Sequence, residues 1–469
     1  MVTEAVSKVY YRGLPSKPPL IATTKPHPFE EPSGPEAYSV LKELRQLGDH
    51  PLAGVWDDGF GESSGPAIVW IGVEFGALSF EEGCVVALQC RTFIDTYGIH
   101  DYHVEIRESR VMRQAGNRFF DPVPPSDPTF SVREPYTATH GIPISTKNRP
   151  WVEGTGGFYL SAGGDDKDIY LVTARHVVLP VDKDDNEEYE RTNTSKARKD
   201  VVILGTSGFR AKLADIDYNI RVQEFAIADA KRRTESEGVD DTVSVKMRKK
   251  AELDELKELR ALRHEITTQW GAKERRVFGE LVWAPPIVFS TEPGQYTLDL
   301  AVIKIDGDKL DAGNYRGNSV SIGVKYTRQQ FMDKVYVHPT SPTSFRFPPN
   351  RIVTLKDQVP ESALHGAKTG TTVGRANNVS SYTRSCFAGQ YQGSREWPVL
   401  PTDQDSGAFS AKGDSGSCVA DVFSRIGGIL TGGTFNSNAT TYVTPISFIM
   451  KVLHDAKRFK NAHLNPVLT

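Results

Sequence analysis

The chain has 469 residues, 38% of them apolar and 25% charged, with a net charge of −3. That balance fits a soluble globular protein of two or three domains, and without a basic excess it offers nucleic acid no electrostatic footprint. No window reaches 18 uninterrupted apolar residues, and the opening MVTEAVSKVYYRGLPSKPPL lacks an apolar core followed by a small-residue cleavage site. Neither a membrane span nor a secretory leader is expected, so the expected location is cytoplasmic or otherwise intracellular.

Residues 1–60 read as an irregular arm rich in proline and glycine, with one short helix in PEAYSVLKELRQLG, where Pro35 lies near the start and Gly48 near the end. A small α/β domain is expected at 61–122. PAIVWIGVEF reads as a strand and DYHVEIRESRVM alternates as another. Between them, SFEEGCVVALQCRTFIDTYGI reads as a helix capped by Ser79, its apolar face carrying Val85, Val86, Leu88, Phe93 and Ile94. This domain has no glycine-rich phosphate loop and no cluster of titratable groups, so docking or regulation suits it better than chemistry. Residues 123–145, with DPVPPSDPTFSVREP, read as a linker.

From about 146 to 460 short strands alternate with turns: GGFYLSAG, DIYLVTARHVVL, VVILG, RVFGELVWA, LDLAVIKI, GGILTGG and TTYVTPI. That spacing predicts a β-sandwich or barrel. One charged stretch, 223–273, breaks the pattern. Its apolar residues Leu253, Leu256, Leu259, Leu262 and Ile266 fall at helical spacing, and QEFAIADAKRRTESEG supplies a second helix turning at Gly238. A solvated helical hairpin projecting from a loop is expected, with a docking arm for another protein as the functional alternative. Of the four cysteines, Cys84 and Cys90 lie roughly 240° apart around a helix and do not face each other; with Cys386 and Cys418 they make no disulfide framework. No His/Cys cluster has zinc-ligand spacing, so neither metal nor cofactor is expected.

The chemistry concentrates in three places. AKGDSGSCVA sets Ser415 between Gly413-Asp414 and Gly416. A serine nucleophile needs a base and a group to orient that base. In YLVTARHVVLP a strand ends at Thr173-Ala174 and His176 follows. In YTLDLAVIKI Asp299 sits at the edge of an apolar strand, where a buried carboxylate needs a partner. Asp306 and Asp308 compete for that role, but IDGD reads as an exposed turn.

In this order and setting the motifs resemble the trypsin/chymotrypsin-like serine peptidases, over about 146–460. TARHVV resembles that family's histidine motif, DLAVIKI its aspartate segment and GDSGS its nucleophile loop. The resemblance implies a mainly β fold: a chymotrypsin-like double β-barrel carrying a helical-hairpin insertion, preceded by the small α/β domain. It implies a triad of His176, Asp299 and Ser415, and an oxyanion hole from the backbone N–H groups of Gly413 and Ser415. It places the substrate pocket at Phe409, six residues before the nucleophile, and at Thr431, Gly432 and Gly433 in the strand lining the cleft. Phe409 is not acidic, so cleavage after lysine or arginine is not implied. No activation-type N-terminal sequence precedes the barrel, so Asp414 is expected to be held by internal donors. The implied activity is serine endopeptidase hydrolysis of peptide or protein substrates. The alternative is a catalytically silent protease-fold scaffold that binds a protein partner through the N-terminal domain or the insertion. Neither nucleic acid nor membrane is an expected partner.

Overall fold

The structure is a computed structural model. It describes residues 2–11, 19–26, 67–73, 76–108, 117–181, 185–192, 196–237, 243–335, 345–360, 372–376, 379–387, 390–402, 406–434 and 440–468. The helix expected at 35–48 lies outside the described residues. Contacts divide the chain into two units, Met1–Gln114 with Asn219–Gly271, and Ala115–Tyr218 with Ala272–Thr469.

The first unit contains α1 (Glu4–Val9), β1 (Leu20–Thr23), β2 (Ala67–Val73), α2 (Phe80–Asp95) and β3 (Tyr102–Glu108). β3 lies between β1, antiparallel to it, and β2, parallel to it. α2 starts where Ser79 and Glu82 cap each other: Ser79 Oγ accepts the Glu82 N–H while the Glu82 carboxylate accepts the Ser79 N–H. The face it buries is shifted from the expected one. Cys84, Val86, Cys90 and Ile94 pack on Tyr102, Val104 and Ile106, whereas Val85, Leu88 and Phe93 are exposed. Glu105, in the middle of β3, is buried because its carboxylate is fully engaged. It accepts from Tyr10 and Tyr11 hydroxyls at 2.5 Å each and from Trp70 Nε1 at 2.9 Å, and pairs with Lys25 Nζ at 3.0 Å. These bonds fasten the N-terminal arm to the sheet.

The second unit opens on a segment expected to be a linker but packed instead. Within 123–145, Phe130 and Val132 of the single-turn α3 (Phe130–Arg133) are buried with Tyr136, Ile142 and Ile144; just before it Phe119 is buried too, its carbonyl accepting from Asn314 Nδ2 at 2.9 Å. Then follow β4 (Pro143–Thr146), β5 (Arg149–Thr155), β6 (Phe158–Ser161), β7 (Ile169–Thr173), the short α4 (Arg175–Val178), β8 (Tyr189–Glu190) and β9 (Asp200–Ile203). Two long helices come next, α5 (Thr206–Glu237) and α6 (Val243–Trp270). Gln223 and Glu224 of α5 bond Glu255 and Arg260 of α6. The hairpin is not solvated throughout: Leu256, Leu259, Leu262, Ile266 and Trp270 are buried, and of the expected stripe only Leu253 is exposed. The contacts of Asn219–Gly271 fall with the N-terminal unit. There a side chain at Gly76 would touch Lys257, and Arg260 acts electrostatically on Glu108. The expected turn at Gly238 lies outside the described residues.

β10 (Val277–Ala284) and β13 (Ala301–Ile305) complete an eight-stranded sheet in the order β5-β4-β9-β10-β13-β7-β6, with β8 beside β10. β11 (Val288–Thr291) and β12 (Tyr296–Leu298) form a hairpin between them. After β14 (Ser319–Ser321), α7 (Arg328–Val335), β15 (Ile352–Thr354) and β16 (Asp357–Gln358) the second main sheet assembles. It contains β17 (Gly374–Ala376), β18 (Ser381–Phe387), β19 (Gln390–Pro401), β20 (Cys418–Ala420), β21 (Arg425–Gly433) and β22 (Thr441–Pro445), with the main order β16-β21-β22-β19-β17. The chain then enters α8 (Ile446–Asp455). The core of this unit joins both sheets: Phe158, Tyr170, Val172 and Val302 from the first pack with Ile426 and Ile429 from the second and Ile446, Ile449 and Leu453 of α8.

Among the described residues strand and helix are nearly equal, 31% and 30%, because the two long helices offset the sheets of the second unit. Among the described residues no pairing closes either sheet on itself, so the expected double barrel is not seen there; the chain is shown to be rich in β-sheet. Among the described residues no helix is long and apolar enough to cross a membrane.

Candidate active site

Register brings the first two residues together. β7 and β13 are antiparallel with Thr173 opposite Ala301. The end of one strand and the start of the other therefore lie at the same edge of the sheet. His176 follows β7 by three residues and Asp299 precedes β13 by two. Ala174, extended at φ −74° and ψ 140°, turns the chain into α4, which carries His176 in its first turn. His176 Nδ1 lies 2.6 Å from Asp299 Oδ2, and the His176 backbone N–H donates to Asp299 Oδ1 at 3.1 Å. One carboxylate thus fixes both the ring and the backbone that bears it.

Asp299 is 7% exposed. Burial pushes its carboxyl up, but the His176 ring and the N–H groups of His176 and Arg175 outweigh burial and hold it below the ordinary carboxylate range. The Asp299 charge in turn raises the His176 imidazole above its usual value, against the opposing effect of burial. Beside them Arg175 is almost fully buried. Its guanidinium donates to the carbonyls of Ala284 and Pro285 at the end of β10 and of Asp185 and Glu187 just before β8, tying α4 to both. Asp306 pairs with Arg198, and Asp308 with Lys309. The competing acids are thus engaged elsewhere.

Ser415 lies in the turn before β20, and two glycines shape that turn. Gly413 has φ +102°, where a side chain would be strained although the space beside it is open. Gly416 has φ +92°, and a Cβ there would fall 2.2 Å from both the Thr155 carbonyl and Thr173 Oγ1 and 3.2 Å from the Ala174 N. The turn that bears Ser415 is therefore pressed against the end of β7, two residues before His176. Thr155, which the sequence reading passed over, holds this arrangement. Its N–H donates to the Ser415 carbonyl at 2.8 Å, its Oγ1 to the Gly413 carbonyl at 2.8 Å, and its own carbonyl accepts Thr173 Oγ1 at 2.7 Å. A threonine closing a strand carries no signal in one sequence; only the fold gives it this place. On the other side Gly416 N–H donates to the Leu430 carbonyl, and Leu430 N–H to that of Ser417.

With the Gly413 and Ser415 carbonyls turned to Thr155, the N–H groups of Gly413 and Ser415 have no acceptor among the described residues. Asp414 Oδ2 accepts the Ala411 N–H at 2.7 Å, an internal donor of the expected kind. The Ser415 hydroxyl makes no hydrogen bond to His176. The pocket residues divide. Phe409 is packed in an apolar cluster with Trp397, Val399, Val419 and Val443. Thr431, Gly432 and Gly433 end β21, where the register with β22 shifts between Leu430 and Gly432. Nothing lies within 4 Å of where a Gly432 side chain would project. Among the described residues no group of three or more His, Cys, Asp or Glu side chains could hold a metal ion.

No family model matches the chain, and no curated protein matches it. Among solved structures the chain is similar to the Rv3671c protease from M. tuberculosis in its active form. The identity is 14%, over 74% of this chain and 92% of that one, with a TM-score of 0.26. The inactive form of the Rv3671c protease matches at 12% identity over 72% of this chain and 98% of that one, with a TM-score of 0.25. Likenesses at this level do not fix the fold.

Proposed function

We propose that the second unit is a serine endopeptidase of the trypsin/chymotrypsin type, with the two sheets as its two barrels and His176, Asp299 and Ser415 as its triad. The observation that carries this reading is the bidentate hold of Asp299 on His176, with a glycine-shaped serine loop packed against the same strand end. In the reaction the neutral His176 Nε2 takes the Ser415 proton as Oγ attacks the scissile carbonyl. The carbonyl oxygen becomes an oxyanion and accepts from the N–H groups of Gly413 and Ser415, each such donor worth about 3 to 4 kcal/mol of the barrier. His176 returns the proton to the departing amine, leaving an acyl-Ser415 ester, and then activates a water that releases the acid. The open space before Gly432 suits an extended peptide lying along β21. An intracellular setting and peptide or protein substrates belong to this proposal.

The missing Ser415–His176 hydrogen bond favours a second reading, a protease-fold scaffold without activity, although such bonds are often long before substrate binds. The two readings separate on one measurement. A fluorophosphonate should label the full-length protein at a single serine, mapped by peptide mass to Ser415, and Ser415→Ala should abolish labelling. A folded protein that stays unlabelled would support the scaffold.

A further inference from the structure

Behind Asp299 lies a second buried acid, Glu396 of β19, only 4% exposed. Along β19 side chains alternate. Arg395 turns to the opposite face, bonding Ser380 Oγ and covering the Tyr296 ring, while Ser394 and Glu396 face inward. Glu396 Oε1 accepts the Thr297 hydroxyl at 2.5 Å and the Ser394 hydroxyl at 2.7 Å. Its other oxygen, Oε2, is buried with no hydrogen-bond partner. No cation pairs with it among the described residues.

A bare carboxylate does not suit this place. Burial, with Asp299 adding its negative charge, raises the Glu396 carboxyl, against the hydroxyls of Thr297 and Ser394 and the Thr297 N–H. Geometry adds that both hydroxyls point at Oε1, while Oε2 is buried with no donor to hold a negative charge there, the oxygen on which a proton would sit. What this acid grips is the approach to Asp299. Thr297 is two residues upstream in β12, and its carbonyl also receives the Thr444 hydroxyl of β22 at 3.4 Å. The Thr444 hydroxyl is in turn 3.4 Å from that of Thr431 in the candidate cleft. The chain entering Asp299 is thus pinned from two strands of the second sheet.

The geometry points to Glu396 as a positioning residue for the His176–Asp299 pair, one that fixes Thr297 as a neutral acid and so adds no second charge behind Asp299. This rests on the peptidase reading for its effect on turnover, but not for its effect on His176. Glutamine reproduces the neutral acid in size and in its acceptor oxygen; leucine keeps the volume and loses the grip. The test compares full-length wild type, Glu396→Gln and Glu396→Leu by proton NMR at the low-field Nδ1–H of His176, assigned by its loss in His176→Asn. Peptide turnover is measured alongside. Glu396→Gln should keep the wild-type resonance and a kcat within about threefold. Glu396→Leu should shift or broaden the resonance and lower kcat by about 10- to 100-fold with little change in KM, the scale of a displaced catalytic group. A wild-type resonance in Glu396→Leu would overturn the inference, and a glutamine variant as impaired as leucine would overturn the neutral form. If the leucine variant does not fold, Thr297→Val removes the same contact and is read in the same way. An unlabelled Ser415 in a wild type whose His176 resonance still depends on Glu396 would sink the peptidase reading alone.

Discussion

His176 is charged more readily than a free histidine because Asp299 faces its ring before any substrate arrives. That has a direct consequence for pH. In the proposed reaction His176 must be neutral to take the Ser415 proton, and a raised imidazole stays protonated further up the pH scale, so kcat/KM should fall on the acid side with a midpoint above about 6.5. Asp299→Asn removes the charge that raises it, so that midpoint should move down while the rate drops by about 10⁴-fold through the wrong tautomer. An unmoved midpoint would mean that another group sets it. Ser415→Ala and His176→Ala should each lower kcat by on the order of 10⁴-fold or more, and the double variant should lose little beyond either, since both act in one step. Additive losses would show that they do not share it. The His176–Asp299 contact and the glycine-shaped Ser415 turn were legible in the sequence, because each of the three residues stands in a motif whose chemistry demands its residue type. Thr155, Arg175 and Glu396 were not. Their roles depend on which backbone carbonyls and hydroxyls the fold brings to them, and nothing local in GTGG, TARH or SREWP encodes that.

Among the elements, the helical hairpin departs furthest from its expected form. Its periodicity was plain: Leu256, Leu259, Leu262 and Ile266 make the stripe, and the helix itself is present over Val243–Trp270. Periodicity tells that a face is apolar but not what covers it. Four of the five expected stripe residues and Trp270 are buried, and the segment groups with residues 1–114. α2 repeats the lesson, since its broad apolar surface gave no means to choose between Val85 and Val86. Burying a large apolar side chain contributes about 1.5–3 kcal/mol, so removing five removes much of a small unit's stability. Replacing 226–270 with a short glycine-serine loop should therefore make the N-terminal 114 residues sensitive to limited proteolysis, while the second unit stays resistant. Equal resistance before and after the replacement would return the hairpin to the role of a dispensable projection.

At the scale of the whole molecule, the β-rich character of residues 146–460 was readable from strand spacing, but strand spacing does not say whether sheet edges meet. The grouping of 219–271 with the N-terminus was also out of reach, because contacts between distant stretches leave no mark in a single sequence. The turn that bears Ser415 has an internal donor: Asp414 Oδ2 accepts the Ala411 N–H, three residues away. Full-length protein should accordingly turn over a peptide substrate while mass spectrometry finds it uncut; activity that appears only in step with a cut between 140 and 157 would contradict this. The discontinuity of the first unit also sets a schedule for synthesis. Its first stretch ends at Gln114 and its second at Gly271, with Ala115–Tyr218 made in between. At about 5–20 residues per second, the N-terminal sheet emerges roughly 8–30 s before the second stretch is complete at Gly271. During that wait the unit is incomplete, so slowing translation across 115–218 lengthens the time in which a nascent chain can be captured by a chaperone.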